Sequence, residues 1–145
     1  MKIGVDSCII IAGVHANHPL HVLASDWLIR NISLHELIVT HHTILETYAV
    51  LTRLPGELKT NGPEATKLLE TSVRPNMKIV EFNSSSIWEC IDSIVNQSAM
   101  GGRSYDAFIA EILINAGAEA IATFNTIHFT ELSLPVSLID PSKPA

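Results

Sequence analysis

The chain has 145 residues, of which 47% are hydrophobic and 17% are charged, and its formal net charge is −6. This length and composition favour one globular domain with a sizeable core and exclude a disordered or fibrous chain. The acidic balance argues against a surface that attracts nucleic acid by overall charge, although it leaves room for a small basic patch beside an acidic site.

Targeting signals and metal-binding motifs are both lacking in the sequence. It contains no signal-peptide pattern and no apolar run of membrane-spanning length, so we expect a cytoplasmic protein that does not contact a membrane. Cys8 and Cys90 lie in apolar segments without a CxxC pair, which predicts buried thiols and neither a disulfide nor a zinc site.

Apolar periodicity predicts strands that alternate with helices along the whole chain. The predicted strands cover residues 3–5, 37–39, 78–82, 120–123 and 136–139. The predicted helices cover residues 7–14, 20–31, 41–53, 63–71, about three turns from 86, and 104–116. Such alternation is typical of an α/β fold. We therefore expect a single domain over residues 1–145, with a parallel sheet of four to five strands and helices on both faces.

A few residues mark the predicted helix ends and the predicted core. Thr40 has the short polar side chain that favours a helix N-cap, and Pro19 suits the first turn of a helix. The run Ser86-Ile87-Trp88-Glu89 matches a capping box. Trp27 and Trp88 occupy apolar helix positions, so we predict that both are core residues.

Three carboxylates occupy unusual places in this pattern. Asp6 directly follows the first buried strand, Glu46 lies in the second turn of the helix after the second strand, and Asp106 opens an apolar helix. Thr123 and Asn125 follow the fourth strand. Sites in open α/β sheets form at the carboxyl ends of strands, so these side chains are expected to converge. Mg²⁺ or Mn²⁺, which prefer oxygen ligands, would explain such a group of acids.

Each of these residues also has a simple structural explanation when it is taken alone. Asp6 suits a helix cap, and Asp106 suits the positive end of a helix dipole. Glu46 suits an exposed helical acid that pairs with His42, and Asn125 suits a turn. The order and context of the four together favour a site.

Four segments together resemble a PIN domain, and within that family they are most similar to the VapC-type toxins of bacterial and archaeal toxin–antitoxin pairs. The resemblance spans Met1 to about Asp140. The segments are Val5-Asp6-Ser7, Glu46 with Leu51-Thr52-Arg53-Leu54-Pro55, Ser104-Tyr105-Asp106-Ala107, and Ala122-Thr123-Phe124-Asn125-Thr126-Ile127-His128-Phe129. The resemblance implies a metal-dependent endoribonuclease with three or four acidic positions, an RNA substrate and a cognate antitoxin protein.

The sequence matches three of those acidic positions, with Asp6, Glu46 and Asp106, and departs from the family at the fourth. Many members carry Asp two residues after the matching Thr, or an acid five residues after it, where this chain has Asn125 and His128. An Asn side chain can hydrogen-bond to a water on the metal, but it adds no negative charge. A single Mg²⁺ or Mn²⁺ is therefore expected.

The residue types indicate how such a site would work. A cation held by Asp6 and Asp106 would polarise the scissile phosphodiester and lower the pKa of a bound water. Glu46 would orient that water or act as its base, and Asn125 would complete the catalytic group.

Weaker substrate-binding candidates surround these four residues. Ser7 and Thr123 would fix the carboxylates or contact phosphate, although they suit a helix cap and a strand end equally well. Arg53 would approach an RNA phosphate, although a solvated cation at a helix end explains it as well.

Two other functions stay open at this stage. A degenerate PIN-like binding module without turnover is suggested by Asn125 and the acidic net charge. A phosphatase with Asp6 as nucleophile is less favoured. Phosphatases of this type share a second Asp two residues after the nucleophile, and this chain has Cys8 at that position. The apolar helix positions between Leu20 and Leu28 suggest a homodimer face.

Overall fold

Strands and helices alternate along the chain in the computed structural model, which describes residues 1–83 and 86–144. The strands are β1 (Lys2–Val5), β2 (Glu36–Thr40), β3 (Lys78–Val80), β4 (Ala120–Ala122) and β5 (Ser137–Ile139). The helices are α1 (Ser7–Val14), α2 (His21–Ile32), α3 (His41–Arg53), α4 (Gly62–Ser72), α5 (Ile87–Asn96), α6 (Arg103–Asn115) and α7 (Thr126–Thr130). A short 3-10 helix, Gly56–Leu58, joins α3 to α4.

The five strands form one sheet in the order β3-β2-β1-β4-β5, and every neighbouring pair is parallel. The chain therefore builds outward from β1 to β3 and then returns to the other side of β1 for β4. Open sheets of this kind hold their sites at the carboxyl edge, where the strand order reverses. Here the reversal lies between β1 and β4.

The sheet is covered on both faces, as the sequence predicts. Alternate residues of β2 point to opposite faces: Leu37 and Val39 pack in the cluster that includes Ile9, Trp27 and Leu69, whereas Ile38 packs with residues of α6 and α7. A fully buried aliphatic side chain stabilises the fold by roughly 1.5–3 kcal/mol, so these two clusters hold the layers together. No helix in the described part of the chain is both long and apolar enough to cross a membrane.

A close contact between β1 and α6 fixes the position of the helix that carries Asp106. A Cβ atom on Gly4 would lie 2.6 Å from Leu113 Cδ1, and Leu113 is fully buried. Only a residue without a side chain allows the helix to come this near to the strand. The last turn of α6, the helix that also carries Asp106, is thereby packed against β1.

The predicted elements are confirmed with small shifts at their ends. Thr40 caps α3, since its Oγ1 accepts a 3.0 Å hydrogen bond from the N–H of Thr43. The third strand ends at Val80, two residues before the predicted end, and α2 begins at His21, so that Pro19 precedes the helix. Helix α7 was not predicted, because its five residues are too few for an apolar pattern.

Two details around α5 were predicted wrongly. Ser86 does not form a capping box: its side chain makes no cap hydrogen bond and donates to the carbonyl of Asn83 at 2.9 Å. Trp88 is 75% exposed, whereas Trp27 is buried as expected. Cys90 is the residue of α5 that is buried, so the helix turns the Trp88 side away from the core.

Candidate active site

Asp6 stands at the carboxyl end of β1 and is also the N-cap residue of α1. It is buried, and both of its carboxylate oxygens accept hydrogen bonds. Oδ1 accepts from the N–H of Ser7 at 2.8 Å, and Oδ2 accepts from Thr123 Oγ1 at 2.7 Å and from Cys8 Sγ at 3.2 Å. The helix-cap and site interpretations are therefore compatible, because the cap holds the carboxylate at the strand-order reversal.

The residues after β4 lie on the other side of the crevice where the strand order reverses. Thr123 is fully buried, and its Oγ1 accepts a 2.9 Å hydrogen bond from the N–H of Asn125 while it donates to Asp6. Full burial keeps Thr123 away from a phosphate and leaves it the role of orienting Asp6. Asn125 is exposed, and its side chain makes no cap hydrogen bond to α7.

Glu46 reaches the same edge from α3. Its Oε1 accepts a 3.0 Å hydrogen bond from Ser7 Oγ, and its Oε2 lies 3.6 Å from Nε2 of His42, one helical turn earlier. Ser7 is buried, so it joins the β1–α1 junction to α3 from within the fold. The predicted pairing of Glu46 with His42 is present together with the bond to Ser7.

Asp106 lies in the first turn of α6 and is half-buried. Burial raises the pKa of its carboxyl above the usual range, and the negative charge of Asp6 raises it further. His128 and Arg103 oppose this rise in pKa, whereas Glu46 adds to it. Asp106 therefore lies near enough to Asp6 and Glu46 for their negative charges to act on it.

His128 lies against Asp106, a contact that the sequence pattern did not predict. Its Nδ1 is 3.4 Å from Asp106 Oδ2. Of the two residues at the fourth acidic position, His128 makes this contact from α7, whereas Asn125 is exposed at the start of that helix. The spacing of five residues after Thr123 was the signal that singled out His128.

Cys8 is a second residue whose place in the site the sequence did not indicate. Its Sγ accepts a 3.3 Å hydrogen bond from the N–H of Phe124 and donates to Asp6. Burial raises the pKa of this thiol to about 12, with a further rise from the charge of Asp6. The thiol therefore stays neutral at physiological pH and supplies no soft thiolate ligand.

The chemistry of the donor groups fits a hard divalent cation. Among residues 1–83 and 86–144, no three side chains of His, Cys, Asp or Glu stand close enough together to hold an ion on their own. Mg²⁺ does not need such a group, because it keeps several waters and is commonly bound through one or two carboxylates. Asp6 and Asp106 supply two oxygen donors whose mutual repulsion a cation would relieve.

Arg53 is not part of this group of side chains. It is the last residue of α3, seven positions beyond Glu46, and it is exposed. At 1.5 Å per residue this separation is roughly 10 Å along the helix axis. The structure thus brings Asp6, Glu46 and Asp106 to one edge with Ser7 and Thr123 beneath them, and it leaves Arg53 at the periphery.

A family model described as the PIN domain matches residues 3–133, which is most of the chain. The protein therefore belongs to the PIN-domain family. Among proteins with curated descriptions, none matches this sequence.

Solved structures of toxins share this fold at low sequence identity. VapC20 of Mycobacterium tuberculosis, described as a toxin that cleaves the sarcin–ricin loop, is similar with a TM-score of 0.68 and 15% identity, over 88% of this chain and 93% of that one. VapBC-1 from nontypeable Haemophilus influenzae has a TM-score of 0.68 and 15% identity, over 99% and 100% of the two chains. VapBC2 from Rickettsia felis, bound to a fragment of promoter DNA, has a TM-score of 0.67 and 13% identity, over 97% and 98%.

Proposed function

We propose that the protein is a Mg²⁺- or Mn²⁺-dependent endoribonuclease that acts as the toxin of a VapBC-type toxin–antitoxin pair in the cytoplasm. One observation carries the proposal: Asp6 and Asp106, which are far apart in the sequence, are near enough for the charge of Asp6 to raise the pKa of Asp106. A carboxylate pair at the strand-order reversal of a PIN domain suits phosphodiester hydrolysis with a cation. Family membership and the fold of the toxins support the same assignment.

Each residue of the site has a role that its contacts suggest. A cation bound by Asp6 and Asp106 would polarise the phosphodiester and increase the acidity of a water molecule. Glu46 would orient the attacking water or accept its proton, most simply at Oε2, the oxygen that does not receive the hydrogen bond from Ser7. Asn125 lies at the rim, where its amide can hydrogen-bond to a water or a phosphate oxygen.

The remaining residues of the predicted site act on these groups or on the substrate strand. Thr123 holds Asp6 through the 2.7 Å hydrogen bond, and Ser7 holds Glu46 through the 3.0 Å hydrogen bond. Arg53, at the exposed end of α3, contacts a phosphate further along the RNA.

An antitoxin protein is the partner that this surface suits. The acids at the sheet edge attract an Arg side chain, which binds a carboxylate through two parallel hydrogen bonds. Apolar side chains stay exposed on the helix that carries Glu46, with Leu45 at 67% and Tyr48 at 36% on α3. A segment that carries both Arg and apolar residues would cover this helix and block the site.

A homodimer is the proposed assembly, and α2 is the proposed contact. Ala24, Trp27 and Leu28 of this helix are buried in the core, whereas Val22 and Ile29 are 68% and 70% exposed. A second copy that packs against these residues would remove their apolar surface from water.

The test is RNA cleavage by the purified chain with Mg²⁺ or Mn²⁺, with EDTA, and after the cation is restored. Cleavage that stops with EDTA and returns with the cation supports the nuclease. RNA binding without cleavage in all conditions would instead support the degenerate module, which the uncharged Asn125 and the acidic net charge favour. Hydrolysis of small phosphate esters with covalent labelling of Asp6 would support the phosphatase.

A further inference from the structure

Aromatic rings form a continuous run beside the carboxylates. His42 stacks on Tyr105, with ring centroids 5.1 Å apart and planes inclined by 12°. The edge of His42 meets Phe108 at 6.2 Å, and Phe108 packs against Phe82 at 5.0 Å. These offset and edge contacts are favourable arrangements for aromatic pairs and hold the rings in fixed orientations.

The Tyr105 end of the run opens to solvent next to the site. Tyr105 is 59% exposed although one face of its ring lies on His42, so the other face is available to a ligand. It directly precedes Asp106 in α6, and its partner His42 has its Nε2 3.6 Å from Glu46 Oε2. A flat aromatic surface therefore adjoins two of the three carboxylates.

We propose that Tyr105, supported by His42, is a stacking surface for an unpaired base of the RNA substrate, next to the phosphodiester that is cleaved. This inference rests on the proposed ribonuclease function. Sequence-tolerant recognition of single-stranded RNA commonly uses aromatic side chains on which exposed bases stack. No residue of this run belongs to the group that would bind the cation.

Electrostatics favours a base over a phosphate at this position. The Tyr105 ring lies beside Asp106 and near Glu46. The negative charges of these two carboxylates repel the phosphates that flank the scissile phosphate, which the cation would bind. A nucleobase is uncharged and binds through its flat face, so it gains affinity here without approaching either carboxylate. Tyr105 would thereby position the strand in a part of the site where phosphate contacts are disfavoured.

Two substitutions at Tyr105 test the proposal, with Trp88→Ala as the control. Tyr105→Phe keeps the ring, and Tyr105→Ala removes it, whereas Trp88→Ala removes from α5 a ring that is still more exposed than Tyr105. With a short single-stranded RNA, Tyr105→Ala is expected to raise KM roughly 5- to 100-fold, the range for loss of one base–aromatic stack. Tyr105→Phe and Trp88→Ala are expected to stay within about twofold of the original chain, and thermal unfolding shows whether each variant folds.

A fluorescence measurement detects the stacking of a base on Tyr105 independently of RNA cleavage. RNAs that carry 2-aminopurine at successive positions are bound to Asp106→Asn protein, with Tyr105 intact or replaced by Ala. One position is expected to be quenched by the protein with Tyr105 and not by the protein with Ala. An original chain that cleaves RNA, with KM and quenching unchanged by Tyr105→Ala, would overturn the stacking proposal and leave the nuclease intact.

The two remaining outcomes are also decisive. If the original chain cleaves no RNA, the proposed function fails, and the quenching pattern still decides whether a base stacks on Tyr105. If Tyr105→Ala weakens binding of a partner protein and leaves KM and quenching unchanged, the ring contacts protein and the proposal is overturned.

Discussion

Thr123 Oγ1 donates a 2.7 Å hydrogen bond to Asp6 Oδ2, which joins two buried residues 117 positions apart in the sequence. These residues directly follow β4 and β1, the two strands between which the strand order reverses. The bond thus fixes the orientation of a candidate cation ligand from the opposite side of the crevice.

Replacement of Thr123 by Val tests this orientation. Val has a similar shape but no hydroxyl, so a buried carboxylate oxygen loses its shortest hydrogen bond, and the free energy of unfolding should fall by roughly 1–3 kcal/mol. Cleavage should fall with it. Denaturant unfolding and kcat are the measurements, and Thr123→Ser, which keeps the hydroxyl, is the control. Unchanged kcat in Thr123→Val would show that this bond does not position Asp6 for catalysis.

Asp106→Asn should stabilise the protein in EDTA at neutral pH. The pKa of Asp106 is raised by burial and by Asp6, so the folded state holds the proton more tightly than the unfolded state does. Protonated Asp106 contributes its full stabilisation at pH values below the ordinary Asp pKa of about 3.9. This contribution is lost as the pH rises through the pKa of Asp106 in the folded state. The ionised side chain therefore destabilises the fold at pH 7.

The expected effect of Asp106→Asn is a rise in Tm of roughly 2–4 °C at pH 7, kept modest by solvent screening of this half-buried group. The difference from the original chain should shrink as pH falls toward 4. Asp92→Asn, which removes an exposed acid of α5, should not show this pH dependence. A lower Tm for Asp106→Asn at pH 7 would instead indicate that the carboxylate has a structural role.

Single Asp substitutions test the fourth acidic position. His128→Asp puts a carboxylate in place of a side chain that lies 3.4 Å from Asp106, whereas Asn125→Asp adds the same charge at an exposed position. We expect both to tighten Mn²⁺ binding, with His128→Asp giving the larger gain, about tenfold. Calorimetric titration of the three proteins compares them. A gain in Asn125→Asp alone would place the fourth position at residue 125.

Gly4→Ala tests how α6 is positioned. The added Cβ would lie 2.6 Å from Leu113 Cδ1, so the variant should lose roughly 1–3 kcal/mol of stability through overpacking. The shift of α6 should also lower cleavage, because the same helix carries Asp106. Adding Leu113→Ala makes room, so in the double variant the two losses should be less than additive. A single variant as stable and active as the original chain would contradict this packing account.

The α/β fold and the positions of the three acids could be predicted because they depend on local patterns. Strand ends and helix phase placed Asp6, Glu46 and Asp106 at one sheet edge, and the buried stripe of Ile109 and Leu113 below Asp106 is present. The partners of these acids could not be predicted in the same way. The hydrogen bonds from Thr123 to Asp6 and from Phe124 to Cys8 depend on which strand lies beside β1, and that depends on the sheet order.

The errors have different origins, one in a competing local hydrogen bond and the others in tertiary structure. The capping-box pattern at Ser86 is a local signal, but the Ser86 hydroxyl donates instead to the carbonyl of Asn83. An apolar Trp88 in a helical pattern predicts burial, but periodicity does not tell which stripe of α5 faces the sheet. His128 reaches Asp106 from α7, a helix too short to leave a periodic pattern.

The most direct test of the central claim is Mn²⁺ titration together with RNA cleavage for the original chain, Asp106→Asn and the control Asp92→Asn. Each substitution removes one negative charge, but only Asp106 lies beside Asp6. The proposed site predicts saturable Mn²⁺ binding and cleavage in the original chain and in Asp92→Asn, and the loss of both in folded Asp106→Asn. Unchanged Mn²⁺ binding or full cleavage by Asp106→Asn would contradict the assignment of these carboxylates as the catalytic cation site.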